Sequence, residues 1–164
     1  MLSPYRVLDL TDHRGHFAGL LLAQLGADVV AVEPPAGQSA RHQGPYAGDV
    51  GDAEHSLLHW SFNRGKRSVV LDLAGAEDDR AALRRLVAGA DILVESGHPG
   101  ELAALGLGPD DLALVNPALV YVSISPFGQS GPKAHYADSE IVLLAAGGYM
   151  SLTGDEDRAP LRLS

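Results

Sequence analysis

The chain contains no cysteine, which excludes disulfides, thiolate catalysis and thiolate zinc sites. Cations are scarce: 12 Lys and Arg stand against 21 Asp and Glu, a net charge of −9. A duplex-binding protein ordinarily carries a basic excess, so nucleic acid is not an expected partner. Long apolar runs are missing too. The longest, residues 141–150, is too short to span a bilayer. Residues 1–6 show no charged stretch followed by an apolar one, so the expectation is a cytoplasmic protein with no membrane partner. Aromatic residues make up only 5% of the chain. Finally, no G-x-G-x-x-G follows the first apolar run, which argues against an ordinary dinucleotide-binding enzyme.

What is present is a repeated alternation of short apolar runs and amphipathic stretches. Residues 6–10 read as a buried strand, 17–25 as a helix stopped by Gly26, and 28–33 as a second strand ended by Pro34-Pro35. A strand, a helix and a strand within about thirty residues make a βαβ unit. Such a unit implies a parallel sheet with a ligand crevice at the carboxyl ends of its strands. Residues 36–57 are polar and Gly-rich and read as a surface excursion, 56–62 as a helical turn, and 63–67 as a basic turn. Strands are expected at 68–73, 92–95 and 119–125, a helix at 77–88, short helical pieces at 102–107 and 110–114, and a last helix at 140–150. This order predicts an α/β fold: an open parallel sheet with helices on both faces. The 164 residues fit a single domain. Residues 159–164 read as the start of another strand, so the sheet is expected to be incomplete at the C-terminus.

Several constellations invite chemistry, each with a plainer alternative. The loop around Gly15 to Gly19 lies where an anion would meet a helix N-terminus, and the alternative is a simple strand-to-helix turn. Arg64, Lys66 and Arg67 cluster beside a strand start, as phosphate contacts or as a solvated turn. Glu33 ends the second strand, where a carboxylate holds a ribose or caps a turn. His55 and His59, and His13 and His16, have helical spacing, but nothing in the spacing supplies a third metal ligand, so no metal is expected. Glu140 begins a helix, either as a dipole-favoured carboxylate or as an acid or base in a cleft.

Taken together, a series of segments resembles one family. They include Val7-Leu8-Asp9-Leu10, Leu25-Gly26-Ala27-Asp28-Val29-Val30, Val32-Glu33-Pro34-Pro35, and Asn63-Arg64-Gly65-Lys66-Arg67 running on to Leu73. Further along come Ala90-Asp91-Ile92-Leu93-Val94-Glu95, Pro99-Gly100, Leu105-Gly106-Leu107, Asn116-Pro117 to Tyr121, Ser123 to Pro132, and Gly148 to Gly154. In this order they look like class III CoA-transferases, the group of formyl-CoA transferase, carnitine CoA-transferase and α-methylacyl-CoA racemase. The resemblance runs from about Arg6 to Ser164.

The resemblance implies the N-terminal part of a Rossmann-like large domain, a smaller second domain outside this chain, and two interlocked chains. It also implies acyl-CoA:carboxylate CoA transfer, with acyl-CoA and a small carboxylic acid as partners and no permanently bound cofactor. In the family an aspartate attacks the acyl-CoA thioester, and CoA thiolate then converts the mixed anhydride to an enzyme-bound thioester. That aspartate follows the strand matching residues 161–163, so the resemblance places it beyond Ser164 and the 164 residues alone are expected to be inactive. Carried over by position, the CoA rim falls on His13, Arg14, Gly15, Leu71, Ser96, Gly97 and His98, with Lys66 as a supplementary cation and Glu140 as an auxiliary carboxylate. The chain departs from the family pattern at Ser96-Gly97, where Asn and an aromatic are common. It departs again at Ala104 and Ala74, where Arg and, in some members, Lys stand. Ser139 replaces the histidine of the racemase branch, against racemisation. The alternative expectation is a non-catalytic member or subunit with a degenerate CoA site.

Overall fold

A computed structural model describes residues 1–164 apart from Asp49, Glu156, Pro160, Arg162, Leu163 and Ser164. Four of these belong to the expected strand start at 159–164, most of which therefore lies outside the described residues. The chain divides into two compact units, Met1–Ser125 and Pro126–Ser164.

The first unit is an α/β sandwich. Its strands are β1 (Arg6–Leu10), β2 (Asp28–Glu33), β3 (Arg67–Val70), β4 (Ile92–Glu95) and β5 (Val120–Ser123). They form one sheet in the order β3-β2-β1-β4-β5, and every pairing is parallel. Side chains alternate across a strand, so successive residues feed different cores. Leu8, Val30, Val32 and Leu93 point to one face and pack with α3 (Glu77–Val87) and α5 (Pro109–Val115) through Leu83, Val87 and Leu112. Val7, Val29 and Val94 point to the other and pack with Leu22 and Ala23 of α1 (His16–Gln24). Helices therefore cover both faces, as the alternation of elements predicts.

Local chemistry explains the helix limits. Glu77, Asp78 and Asp79 open α3 and Arg84 and Arg85 close it, matching the helix dipole at both ends. Arg80 and Arg84 both donate to Glu77, at 2.7 and 2.8 Å. Pro109 starts α5, and the Asp111 carboxylate accepts from Gly108 N–H at 3.1 Å. Gly26 adopts φ 99°, which only glycine does readily, and ends α1. Within the excursion, a 3₁₀ turn at Ser39–His42 precedes α2 (Leu57–Phe62), whose Ser56 Oγ accepts from His59 N–H. The helical piece after β4 is α4 (Glu101–Ala104).

β3 and β5 are shorter than expected. Both are edge strands with a ladder on one side only. After Val70, Leu71 N–H still bonds Glu33 O at 2.9 Å, but Asp72 N–H is taken by the Asp79 carboxylate at 2.7 Å. The second unit holds α6 (Glu140–Ala146), begun by Ser139, whose Oγ accepts from Val142 N–H. The helix expected to run to Met150 stops early. Gly148 takes φ 78° and restarts the chain as a 3₁₀ turn at Tyr149–Leu152.

Candidate active site at the carboxyl edge of the sheet

From β1 the chain crosses to β2 on one side, and from β4 it crosses to β5 on the other. The loops leaving β1 and β4 therefore diverge, and an open α/β sheet has its ligand crevice at such a switch point. A cavity of about 310 Å³ lies there, lined by Leu10, Asp12, Arg14, Ser96, Gly97, His98 and Glu101. Beside it, a cavity of about 250 Å³ has apolar walls of Leu10, Val32, Leu71, Leu102 and Leu105, with Glu33 and Glu95 at its edge. A third, of about 220 Å³, opens between the ends of β1 and β2 against Thr11, Pro34, Gln38 and Ser39. Leu10, the last residue of β1, lines all three. A larger cavity of about 360 Å³ sits at the opposite edge, against Leu2, Tyr5, Ile92 and Val120. It lacks the convergent polar groups that mark a binding site.

Side chains stitch the two diverging loops together. Ser96, 2% exposed at the end of β4, accepts Asp12 N–H on its Oγ at 2.8 Å and donates to Asp12 Oδ1 at 3.0 Å. Arg14 spans the gap, with Nε 3.0 Å from both Asp12 carboxylate oxygens and Nη2 2.5 Å from Ser96 O. Burial works to raise the Asp12 pKa, but hydrogen bonds from Arg14 and Ser96 and the Arg14 charge outweigh it and hold the carboxyl below its usual range. The guanidinium is thus fixed in direction while facing the 310 Å³ cavity. His13 is half exposed, with Nδ1 3.5 Å from Ser39 Oγ.

Beneath the first loop lies a buried ion pair. Asp9 and Lys66 side chains are each 1% exposed, with Nζ 2.8 Å from Asp9 Oδ2. Nζ also donates to His16 O at 3.1 Å and to Asn63 Oδ1 at 3.0 Å, which uses all three of its hydrogens. Thr11 supplies its N–H and Oγ–H to Asp9 Oδ1. Gly19 of α1 passes so close that a Cβ there would collide with Asp9 Oδ2 and lie 2.8 Å from Lys66 Nζ. Lys66 is therefore a brace between β1, α1 and the basic turn, and the structure places it apart from the crevice. Of its neighbours in that turn, Arg67 pairs with Asp28 at 2.6 Å.

The structure brings Arg14, Ser96, Gly97 and His98 to the lining of the 310 Å³ cavity and sets Leu71 in the wall of the next, while His13 and Gly15 flank Arg14 in the first loop and line none of these cavities. Gly15 is needed for space, because a Cβ there would lie 2.5 Å from Thr11 Cγ2. Backbone N–H groups of the first loop and of the turn after β4 are engaged within the fold. Gly15 and His16 donate to Asp12 O, Arg14 to Asp12 Oδ1, Gly97 to Glu95 Oε2 and His98 to Glu101 Oε2. The first loop thus matches the simple-turn alternative, with Asp12 as its internal cap. Glu140 is the first residue of α6 and belongs to the second unit.

Glu33 matches the turn-capping alternative. It is 2% exposed and accepts from Gln38 N–H, Ser68 Oγ–H at 2.6 Å and both Nε and Nη2 of Arg41. Burial opposes ionisation, but Arg41 and Ser68 overcome it and lower the Glu33 pKa to about 2. The paired histidines do not converge: His55 bonds Asp52, and His59 Nδ1 bonds Asn63. Among the described residues, no group of three or more His, Cys, Asp or Glu is placed to hold a metal ion.

The sequence profile of CoA-transferase family III matches residues 2–164. This chain belongs to that family. It is 40% identical over 160 residues to the succinyl-CoA:(R)-benzylsuccinate CoA-transferase subunit BbsE of Thauera aromatica, covering 98% of this chain and 39% of that protein. To the acetyl-CoA:oxalate CoA-transferase of Acetobacter aceti it is 42% identical over 160 residues, covering 96% and 39%. A crystal structure of a CAIB/BAIF family protein from Brucella suis superposes with a TM-score of 0.88 at 38% identity, over 99% of this chain and 43% of that one. The chain spans about two-fifths of the length of these family members. No helix among its described residues is long and apolar enough to cross a membrane.

Proposed function

We propose that this chain forms the N-terminal, CoA-binding part of the large domain of a cytoplasmic acyl-CoA:carboxylate CoA-transferase. The observation that carries the reading is the row of cavities sharing Leu10 along the carboxyl edge, in a chain of this family. The adenine end of CoA rests against Leu71, Leu102 and Leu105. The phosphates meet Arg14 and His98 across the 310 Å³ cavity. His13, Gly15, Ser96 and Gly97 shape the rim, and Glu140 serves as an auxiliary carboxylate. Lys66, with its donors committed inside, acts through the fold.

The reaction exchanges partners on one thioester: an acyl-CoA and a free carboxylate become the free acid of the first and the CoA thioester of the second. The aspartate that attacks the thioester follows residues 161–163 in the family pattern and is not among these 164 residues. The acid is a dicarboxylate, in keeping with the benzylsuccinate and oxalate named for two relatives. Two chains assemble around this site. Support for that comes from apolar residues left in water on and just after α1: Phe17, Leu21 and the capping residue Leu25 stay 56%, 47% and 44% exposed.

A second reading, a CoA-binding member without turnover, is favoured by Ala74 in the wall of the 250 Å³ cavity and Ala104 on α4, where the resemblance leads one to expect cations. One assay separates the two. The protein is incubated with succinyl-CoA and a set of dicarboxylates, and new CoA thioesters are followed by mass spectrometry. Product formation in the protein carrying the aspartate supports the transferase. CoA binding with no product and no covalent adduct supports the second reading, and absence of binding contradicts both.

A further inference from the structure

His16 and Gln38 are buried, 1% and 5% exposed, and converge on one atom. His16 Nε2 lies 3.0 Å from Thr11 O, and Gln38 Nε2 donates to the same oxygen at 3.2 Å. A carbonyl oxygen has two lone pairs and accepts both bonds. This fixes the hydrogens. Nε2 of His16 carries one because the atom it faces only accepts, so Nδ1 of the neutral ring is a bare acceptor. Gln38 presents its nitrogen to Thr11, so its Oε1 is the outstanding acceptor. Neither Nδ1 nor Oε1 has a hydrogen-bond partner among the described residues.

The ring has good reason to stay neutral. Burial, followed by the charge of Lys66, lowers the His16 pKa, against the opposing pull of Asp9, the Thr11 bond and Asp12. Lys66 is no donor to Nδ1, since its hydrogens go to Asp9, His16 O and Asn63. Buried acceptors without a donor are rare in folded proteins, and internal water is their usual partner.

We propose that the first loop is seated on internal water that donates to His16 Nδ1 and Gln38 Oε1, and that His16 is a positioning residue for the loop. The two side chains draw the Thr11 carbonyl inward, and the next N–H, that of Asp12, meets Ser96 Oγ at 2.8 Å. The direction in which residues 12–15 leave the sheet is set from below. The consequence for CoA affinity rests on the function proposed above.

Nitrogen-15 NMR of the His16 ring, a high-resolution crystal structure, and the variants His16→Gln and His16→Leu test this. The expected ring is the neutral Nε2–H tautomer at pH 7 with a hydrogen-bonded Nδ1, and the crystal shows water within bonding distance of Nδ1 and Oε1. His16→Gln retains a donor where Nε2 stood and keeps the amides of residues 12–15 protected from exchange. His16→Leu, or Gln38→Met if the leucine variant fails to fold, exposes them and weakens CoA binding about tenfold. An imidazolium, an Nδ1–H tautomer or a dry site overturns the water. Equal amide protection in the Leu and Gln variants overturns the positioning role. If the unaltered protein binds no CoA, the functional reading fails, while the ring spectrum and amide exchange still decide this proposal.

Discussion

Gly19→Ala adds a single methyl group to the inner face of α1. In an exposed helix interior that change stabilises by about 1 kcal/mol, because alanine loses less conformational freedom than glycine. At this position the new Cβ collides with Asp9 Oδ2 and lies 2.8 Å from Lys66 Nζ, and both partners are 1% exposed. Neither can swing into water. Asp9 is also held by Thr11 N–H and Oγ–H, and Lys66 by His16 O and Asn63. Relief must come from parting the pair or from lifting α1 off β1. Uncoupling a buried pair costs ~3–5 kcal/mol, so after the helix gain the variant should lose ~2–4 kcal/mol. Equilibrium urea unfolding reads this directly. With a slope of ~2 kcal/mol per molar, the midpoint falls by about 1–2 M. In a Lys66→Met background the added loss should shrink, since the pair is already broken. A midpoint that holds or rises in Gly19→Ala would refute the claim that the brace under the first loop is rigid.

Other outcomes follow from the same contacts. The Glu33 pKa in the fold, about 2, lies below its ordinary 4.5, so its ionised form stabilises the fold above pH ~4.5. That contribution fades as pH falls towards 2. Glu33→Gln should lower stability at pH 7 and flatten the acid limb of the stability–pH curve; an unchanged limb would contradict the Arg41–Ser68 account. Leu83→Ala, at a fully buried position under the sheet, should cost ~2–5 kcal/mol by urea unfolding, and a loss below ~1 kcal/mol would show that α3 is not seated as described.

The central strands were legible because their sequences are short apolar runs cut off by Gly, Asp or Pro. β1, β2 and β4 begin and end where the pattern says. The edge strands were not, since their ends depend on which backbone groups find partners: Asp72 N–H is diverted by Asp79, seven residues away. The last helix was read through Gly148, whose positive φ is a backbone choice that apolar periodicity does not report.

Around the site, the sequence located the two loops but not what joins them. Asp12 Oδ1 accepts from the backbone N–H of Arg14, and an aspartate bonded to the N–H two residues on is a recognisable local turn signal. Ser96 lies 84 residues from Asp12, and that bond follows only from the strand order. The same holds for Lys66. As one of three cations in a polar turn it reads as a surface charge, and only the partner 57 residues earlier, Asp9 on a buried strand, takes it inside. Glu33 and Arg41, eight residues apart across a proline turn, were within reach of local reasoning.

The most direct test of the account is amide chemical-shift mapping with CoA. Binding at the carboxyl edge predicts shifts confined to residues 11–15, 71–74 and 96–105, diminished in Arg14→Met. No shifts at millimolar CoA, or shifts centred on Tyr5, Ile92 and Val120 at the opposite edge, would contradict it.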